Sequence, residues 1–211
     1  MAAKSKWISP SAAMDMLYDD PAGGADDFGF ALLRPKARNR TNLVADLARA
    51  KLQPREPGKT EHSSGRDWPV TAHAHRLILA PGVPDVTDLP SFFTRYDVQR
   101  HPRLNPLAAV LTMRFSRTEM LHDAMREVSS YAQLVLSQER KLSSLLVQHV
   151  PQHELSWRPP HIHLLVMSRV HLPPAWGEIH PSFLGDEVEM HETFRDQWRG
   201  FRETWRRVGN S

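Results

Sequence analysis

Ser143 to His149 reads SSLLVQH and His161 to Val170 reads HIHLLVMSRV. Both are short and rich in branched apolar residues, which suits a strand. The connection between them, Val150 to Pro160, holds three prolines and continues neither. Strands this close in sequence pair as antiparallel neighbours, and that pairing decides the fold. Side chains alternate along the second strand, so His161 and His163 point to one face about 7 Å apart while Ile162, Leu164 and Val166 pack the other. His149 ends the first strand, where antiparallel pairing brings it beside the two. Three imidazoles suffice for a metal site that keeps an open position. His153, followed by Glu154 in the connection, competes for the third place. The plainer alternative is a pair of polar residues near a surface.

Outward from this pair, Ala108 to Phe115 (AAVLTMRF) reads as a further strand. Ser116 to Glu119 (SRTE) has capping-box spacing, and the helix it opens is expected to run to about Arg140 with Leu121, Ala124, Met125, Val128, Ala132 and Val135 on its apolar face. Val188 to Val208 reads as a last helix, with Met190, Phe194, Trp198, Phe201 and Trp205 at helical spacing. Before residue 107 the pattern is weaker. Val70 to Ala80 suits a strand with His73 and His75 on one face, and Thr41 to Leu52 a short helix with Leu43, Val44, Leu47 and Ala48 or Lys51 in step. Pro21 to Asp27 is a turn-rich break, and Pro54 to Pro69 reads as loop or linker. The expected fold class is α+β, a central antiparallel sheet flanked by helices. Residues 1–70 are read as a poorly defined basic N-terminal region with a linker, and residues 71–211 as the α+β domain.

Composition narrows the chemistry. The chain has 211 residues, 12 His and no Cys, so disulfides, thiolate zinc sites and cysteine nucleophiles are excluded, and any metal site uses His and carboxylates. No apolar run approaches the roughly 20 residues of a membrane span, so the expectation is a cytoplasmic protein with no membrane partner. Lys and Arg number 27 against 24 Asp and Glu, a net charge of +3, too small to prove a polyanionic partner. Distribution matters more. Arg34, Lys36, Arg38, Arg40, Arg49, Lys51, Arg55 and Lys59 fall in one segment opposed by Asp46 and Glu56, and such a run can track a phosphate backbone.

The order strand, helix, strand ending in His149, loop, then Pro160 followed by His161, Ile162, His163 and an apolar run resembles the HUH endonuclease superfamily, and within it the MobA/MobL plasmid-mobilisation relaxases. The segments Arg195 to Arg199 (RDQWR) and Glu203 to Arg206 (ETWR) are similar to that family's last helix. The resemblance covers roughly Leu107 to Val208, and its one specific motif is the His-x-His pair with its upstream partner. HIT-type hydrolases match less well, because their triad asks for a third alternating histidine where Leu165 stands.

The resemblance implies an HUH-like sheet in which His149, His161 and His163 hold a divalent metal ion (Mn, Mg or Zn, with imidazole ligands suiting Mn or Zn better than Mg) that polarises the scissile phosphate. It also implies a tyrosine nucleophile that joins to the 5′ end of nicked single-stranded DNA. Ser11 to Tyr18 (SAAMDMLY) is similar to the family's N-terminal segment, which makes Tyr18 the leading candidate. Tyr96, beside Arg95 and Arg100, is the alternative nucleophile or a base-stacking residue. The expected function is therefore a relaxase-like, metal-assisted nicking of single-stranded or origin-like DNA in plasmid mobilisation, with Arg34, Lys36, Arg38 and Arg40 on the nucleic acid. The alternative is a non-catalytic relaxase- or replication-initiator-like DNA-binding protein, and whether the chain is an enzyme stays open between the two.

Overall fold

The computed structural model describes residues 7–18, 27–58, 68–151 and 158–209. In chain order the elements are α1 (Pro10–Met14), β1 (Leu17–Tyr18), β2 (Phe28–Leu33), β3 (Lys36–Ala37), β4 (Arg40–Thr41), α2 (Val44–Leu52), β5 (Ala74–Ile78), α3 (Leu89–Val98), β6 (Ala108–Arg114) and α4 (Leu121–Tyr131). They continue with β7 (Ser144–His149), β8 (His161–Met167), β9 (Arg169–Leu172), β10 (Ala175–Ile179) and α5 (Glu187–Gly209). One antiparallel six-stranded sheet runs β1, β2, β6, β8, β7, β5, and helices cover both faces. The α+β class with a central antiparallel sheet is thus the fold observed.

Alternation along the central strands divides the core into two layers. Leu33, Ala108, Val110, Leu145, Val147, Leu165 and Met167 pack with Val44, Leu47, Phe92, Phe93 and Tyr96 of α2 and α3. Phe28, Phe30, Leu32, Ala109, Leu111, Leu146, Ile162, Leu164 and Val166 pack with α4 and with Met190, Phe194 and Trp198 of α5. The stripe expected on the last helix is this second layer's lid. No side chain caps α2 from its own N-cap residue, Leu43. Instead the Asp97 carboxylate, at the end of α3, accepts the N–H groups of Val44 and Ala45, both at 2.9 Å. These bonds tie the two helices of the first layer together and set where α2 begins.

Several local expectations are corrected. Ser116 and Glu119 form no capping box: α4 starts after Met120 without a side-chain cap, and the Glu119 carboxylate is drawn to Arg202 and Arg206 of α5. Beyond Tyr131 the helix continues to Glu139 with π-helical winding, a wider turn than the expected α-helix. The strand expected to reach Val170 stops at Met167, because the Ser168 hydroxyl donates to the carbonyl of Pro106 (2.7 Å) and the chain turns into the separate hairpin β9–β10. β5 begins at Ala74, so His73 precedes it. Phe28 to Leu33, for which the sequence suggested no element, pairs along its whole length with β6. Among the described residues no helix is long and apolar enough to cross a membrane.

Candidate metal centre

Register builds the centre. β7 and β8 pair so that His149 stands directly opposite His161 and Val147 opposite His163. Paired residues share a face, and Val147 and Leu165 belong to the layer of α2 and α3, so all three imidazoles lie on that side at the open end of the sheet. Their ring centroids are 4.8, 4.8 and 5.3 Å apart, and one ligand atom from each lies within 4.8 Å of the others. They are the one group of this kind among the described residues. His153 and Glu154 lie outside those residues.

Each ring has a nitrogen held by the protein, and His163 has contacts at both. His149 Nε2 donates to the carbonyl of Lys51 at 2.8 Å, and His161 Nδ1 to the carbonyl of Pro159 at 3.0 Å. A carbonyl only accepts, so both nitrogens carry the proton. His163 Nδ1 meets the Thr112 hydroxyl at 3.0 Å, while its Nε2 faces the Lys51 ammonium at 3.4 Å. An ammonium only donates, so Nε2 is the acceptor and Nδ1 the donor to Thr112. Every ring therefore carries its lone pair on the nitrogen away from its oxygen partner, in His163 the one that the Lys51 ammonium approaches, and such outer hydrogen bonds are what orients metal-binding histidines.

Electrostatics agree with this. Burial pushes His149 down to about 4, lowers His161 and holds His163 well below the usual imidazole value, and the Lys51 charge adds to the effect at each. Neutral imidazole is the form that ligates. Lys51 itself is pushed down to about 8 by burial. The donor set fits a divalent ion of the first transition row or zinc, which favour imidazole nitrogen.

Cations surround the histidines. The charges of Arg114 and Arg158 also act on His161. The Arg114 guanidinium lies across Gly29 of the neighbouring strand, where a Cβ would stand 2.9 Å from its Nη2. A side chain at this position would push the guanidinium aside. None of Lys51, Thr112, Pro159 and Arg114 was singled out for this centre from the sequence. The readable signal was Lys51, a lysine falling in step with the apolar residues of an amphipathic helix.

The other candidate residues are elsewhere. Tyr18 pairs with Leu32, whose side chain belongs to the α4 and α5 layer, so it stands on the opposite face of the sheet from the histidines. It is also three strands away from β8, roughly 14 Å across the sheet, and its ring stacks under the Arg34 guanidinium. Tyr96 is buried; its hydroxyl donates to the carbonyl of Leu107 at 2.6 Å, and burial pushes it up to about 12. Tyr131 is buried against Trp198, and burial raises its pKa too. Arg34, Lys36, Arg38 and Arg40 lie on and before the β3–β4 hairpin, which follows the end of β2 remote from the histidines. Arg34 pairs with Glu187, Arg38 with Asp15 and Arg40 with Asp46; Lys36 is exposed. The structure thus brings the three histidines together and does not bring Tyr18 or this basic run to them.

No family model matches the chain, and no curated protein matches it. Among solved structures it is similar to one described as the molecular basis of vancomycin resistance transfer in Staphylococcus aureus, with 14% identity over 63% of this chain and 68% of that one, at a TM-score of 0.48.

Proposed function

We propose that the protein binds single-stranded DNA at the three-histidine end of its sheet, with a divalent ion on His149, His161 and His163 directed at a backbone phosphate. The observation that carries the reading is the convergence of three neutral imidazoles, each with its second nitrogen held, at a place where Lys51, Arg114 and Arg158 supply positive charge. Such an ion would supply charge stabilisation on phosphate oxygens. The chain's own residues present its ligands in the neutral form and draw a polyanion to them. Because the exposed tyrosine, Tyr18, stands on the opposite face and Tyr96, on the histidines' side, is buried with its hydroxyl bonded to Leu107, the non-catalytic form of the relaxase-like reading is the better supported.

Nicking by Tyr18 is the second reading, favoured by one observation: Tyr18 is exposed (42%), whereas Tyr96 and Tyr131 are fully buried. A labelled single-stranded oligonucleotide separates the two. The expected outcome is binding that requires Mn2+, weakens with salt, and is lost in His161→Ala/His163→Ala, without a covalent adduct on a denaturing gel. An adduct that disappears in Tyr18→Phe would establish nicking instead. Binding that ignores both the ion and the histidine substitutions would overturn the metal reading.

A further inference from the structure

Lys51 lies one residue from the end of α2, on the histidine face, and is only 6% exposed. An ammonium has three donors and no acceptor. Among the described residues its side-chain hydrogen-bond partner is His163 Nε2, at 3.4 Å. The acid on its own helix, Asp46, pairs with Arg40 and Arg49, and the acid that caps that helix, Asp97, is taken up by the N–H groups of Val44 and Ala45. A buried ammonium facing only an imidazole is costly, because a charge removed from water needs an opposite charge in return. The Arg114 guanidinium, on the same side of the sheet, adds positive charge to the same end. Among the described residues no carboxylate pairs with the Lys51 ammonium, which leaves room beside it for an anion.

A divalent ion on the histidines adds positive charge beside that ammonium. Lys51 approaches the same nitrogen of His163 that offers its lone pair, so ion and ammonium oppose each other there. An anion that meets both relieves the repulsion. We infer that Lys51 takes a phosphate group at the histidine centre and thereby makes metal binding and phosphate binding mutually dependent. The inference rests on the metal reading above and adds to it a coupling and the role of Lys51 in that coupling. By linkage the dependence is reciprocal: phosphate tightens the ion as much as the ion tightens phosphate.

Calorimetric titration of the full chain with Mn2+ tests this, using Mn2+ alone, with inorganic phosphate, and with a short thymidine oligonucleotide. In the wild type either anion should tighten Mn2+ binding by about tenfold, within the usual range for coupled sites. Lys51→Met should bind Mn2+ more tightly than wild type when no anion is present, and the tightening by anions should vanish. Lys51→Gln serves as a second neutral variant, with circular dichroism to show that each folds, and Lys51→Arg should retain the coupling. Tightening by the oligonucleotide alone would support the inference with a DNA strand as the phosphate source; tightening by both, with phosphate in general. Coupling undiminished in both neutral variants would overturn the role of Lys51 while leaving the metal centre intact. Mn2+ binding that is absent, or unchanged in His161→Ala/His163→Ala, would instead remove the metal reading on which the inference stands.

Discussion

Replacing Thr112 by Val would remove the hydroxyl 3.0 Å from His163 Nδ1 while keeping the side chain's shape. The Nδ1–H would then lose its acceptor, leaving the long Lys51 contact at Nε2 as the one bond that favours this tautomer, and the ring would gain freedom to turn. Loss of such an outer partner weakens metal binding by about tenfold or more, and Mn2+ titration of Thr112→Val should show it without loss of fold. Acid probes a different imidazole. His171 stacks on Trp176 with centroids 3.8 Å apart, its Nδ1 meets the Ser143 hydroxyl at 2.8 Å, and burial holds it down to about 4 from 6.5. Above pH 6.5 neither folded nor unfolded chain protonates this ring, so stability is whole. As pH falls from 6.5 towards 4 the unfolded chain takes up a proton that the folded one refuses, and stability drops by an amount of order 3 kcal/mol. Thermal melts across that window should show the decline, and His171→Gln should flatten part of it. A melting temperature indifferent to pH between 6.5 and 4 would refute the assignment.

Between elements, Arg202 of α5 is the principal tie. Its guanidinium meets Glu127 of α4 at 3.2 Å and Glu119 at 3.4 Å, lies 3.9 Å from Asp27 before β2, and rests over the rings of Phe115 and Trp198. Glu127 is buried (6%), and burial already raises its pKa. Arg202→Met would leave that carboxylate without its cation, at a cost of about 3 kcal/mol in chemical denaturation. Adding Glu127→Leu should return most of it, because the penalty comes from the stranded charge. The same elements show what could be read in the sequence. α5 was legible by its helical period and β6, β7 and β8 by their apolar runs, and strand parity with a short connection put His149 beside His161 and His163, with His153 the competitor. β2 was not, because FGFALL is short, has a glycine inside it and lacks a β-branched residue. The capping box failed because Glu119 has a stronger partner in Arg202, distant in sequence. Lys51 stood out only as a lysine on the apolar side of α2, and that it and Thr112 meet His163 depends on tertiary packing, which no local spacing encodes.

For the molecule as a whole, the centre gathers parts that are far apart along the chain. Its three imidazoles sit on β7 and β8, and the groups that orient them come from α2 through the Lys51 carbonyl, from β6 through Thr112 and from the β7–β8 connection through Pro159. No unfolded chain holds these together, so an ion that binds here binds the native state and stabilises all of it. At an ion concentration a hundred times the dissociation constant the gain is about 2.7 kcal/mol. For a chain of this length each kcal/mol raises the melting temperature by about 2–4 °C, so Mn2+ or Zn2+ should lift it by roughly 5–10 °C. The lift should vanish with a chelator. His161→Ala/His163→Ala should melt at one temperature with or without the ion, whereas Tyr18→Phe, on the opposite face, should respond as the wild type does. A wild-type chain whose melting temperature ignores both ions would show that the three imidazoles converge for packing and not for metal.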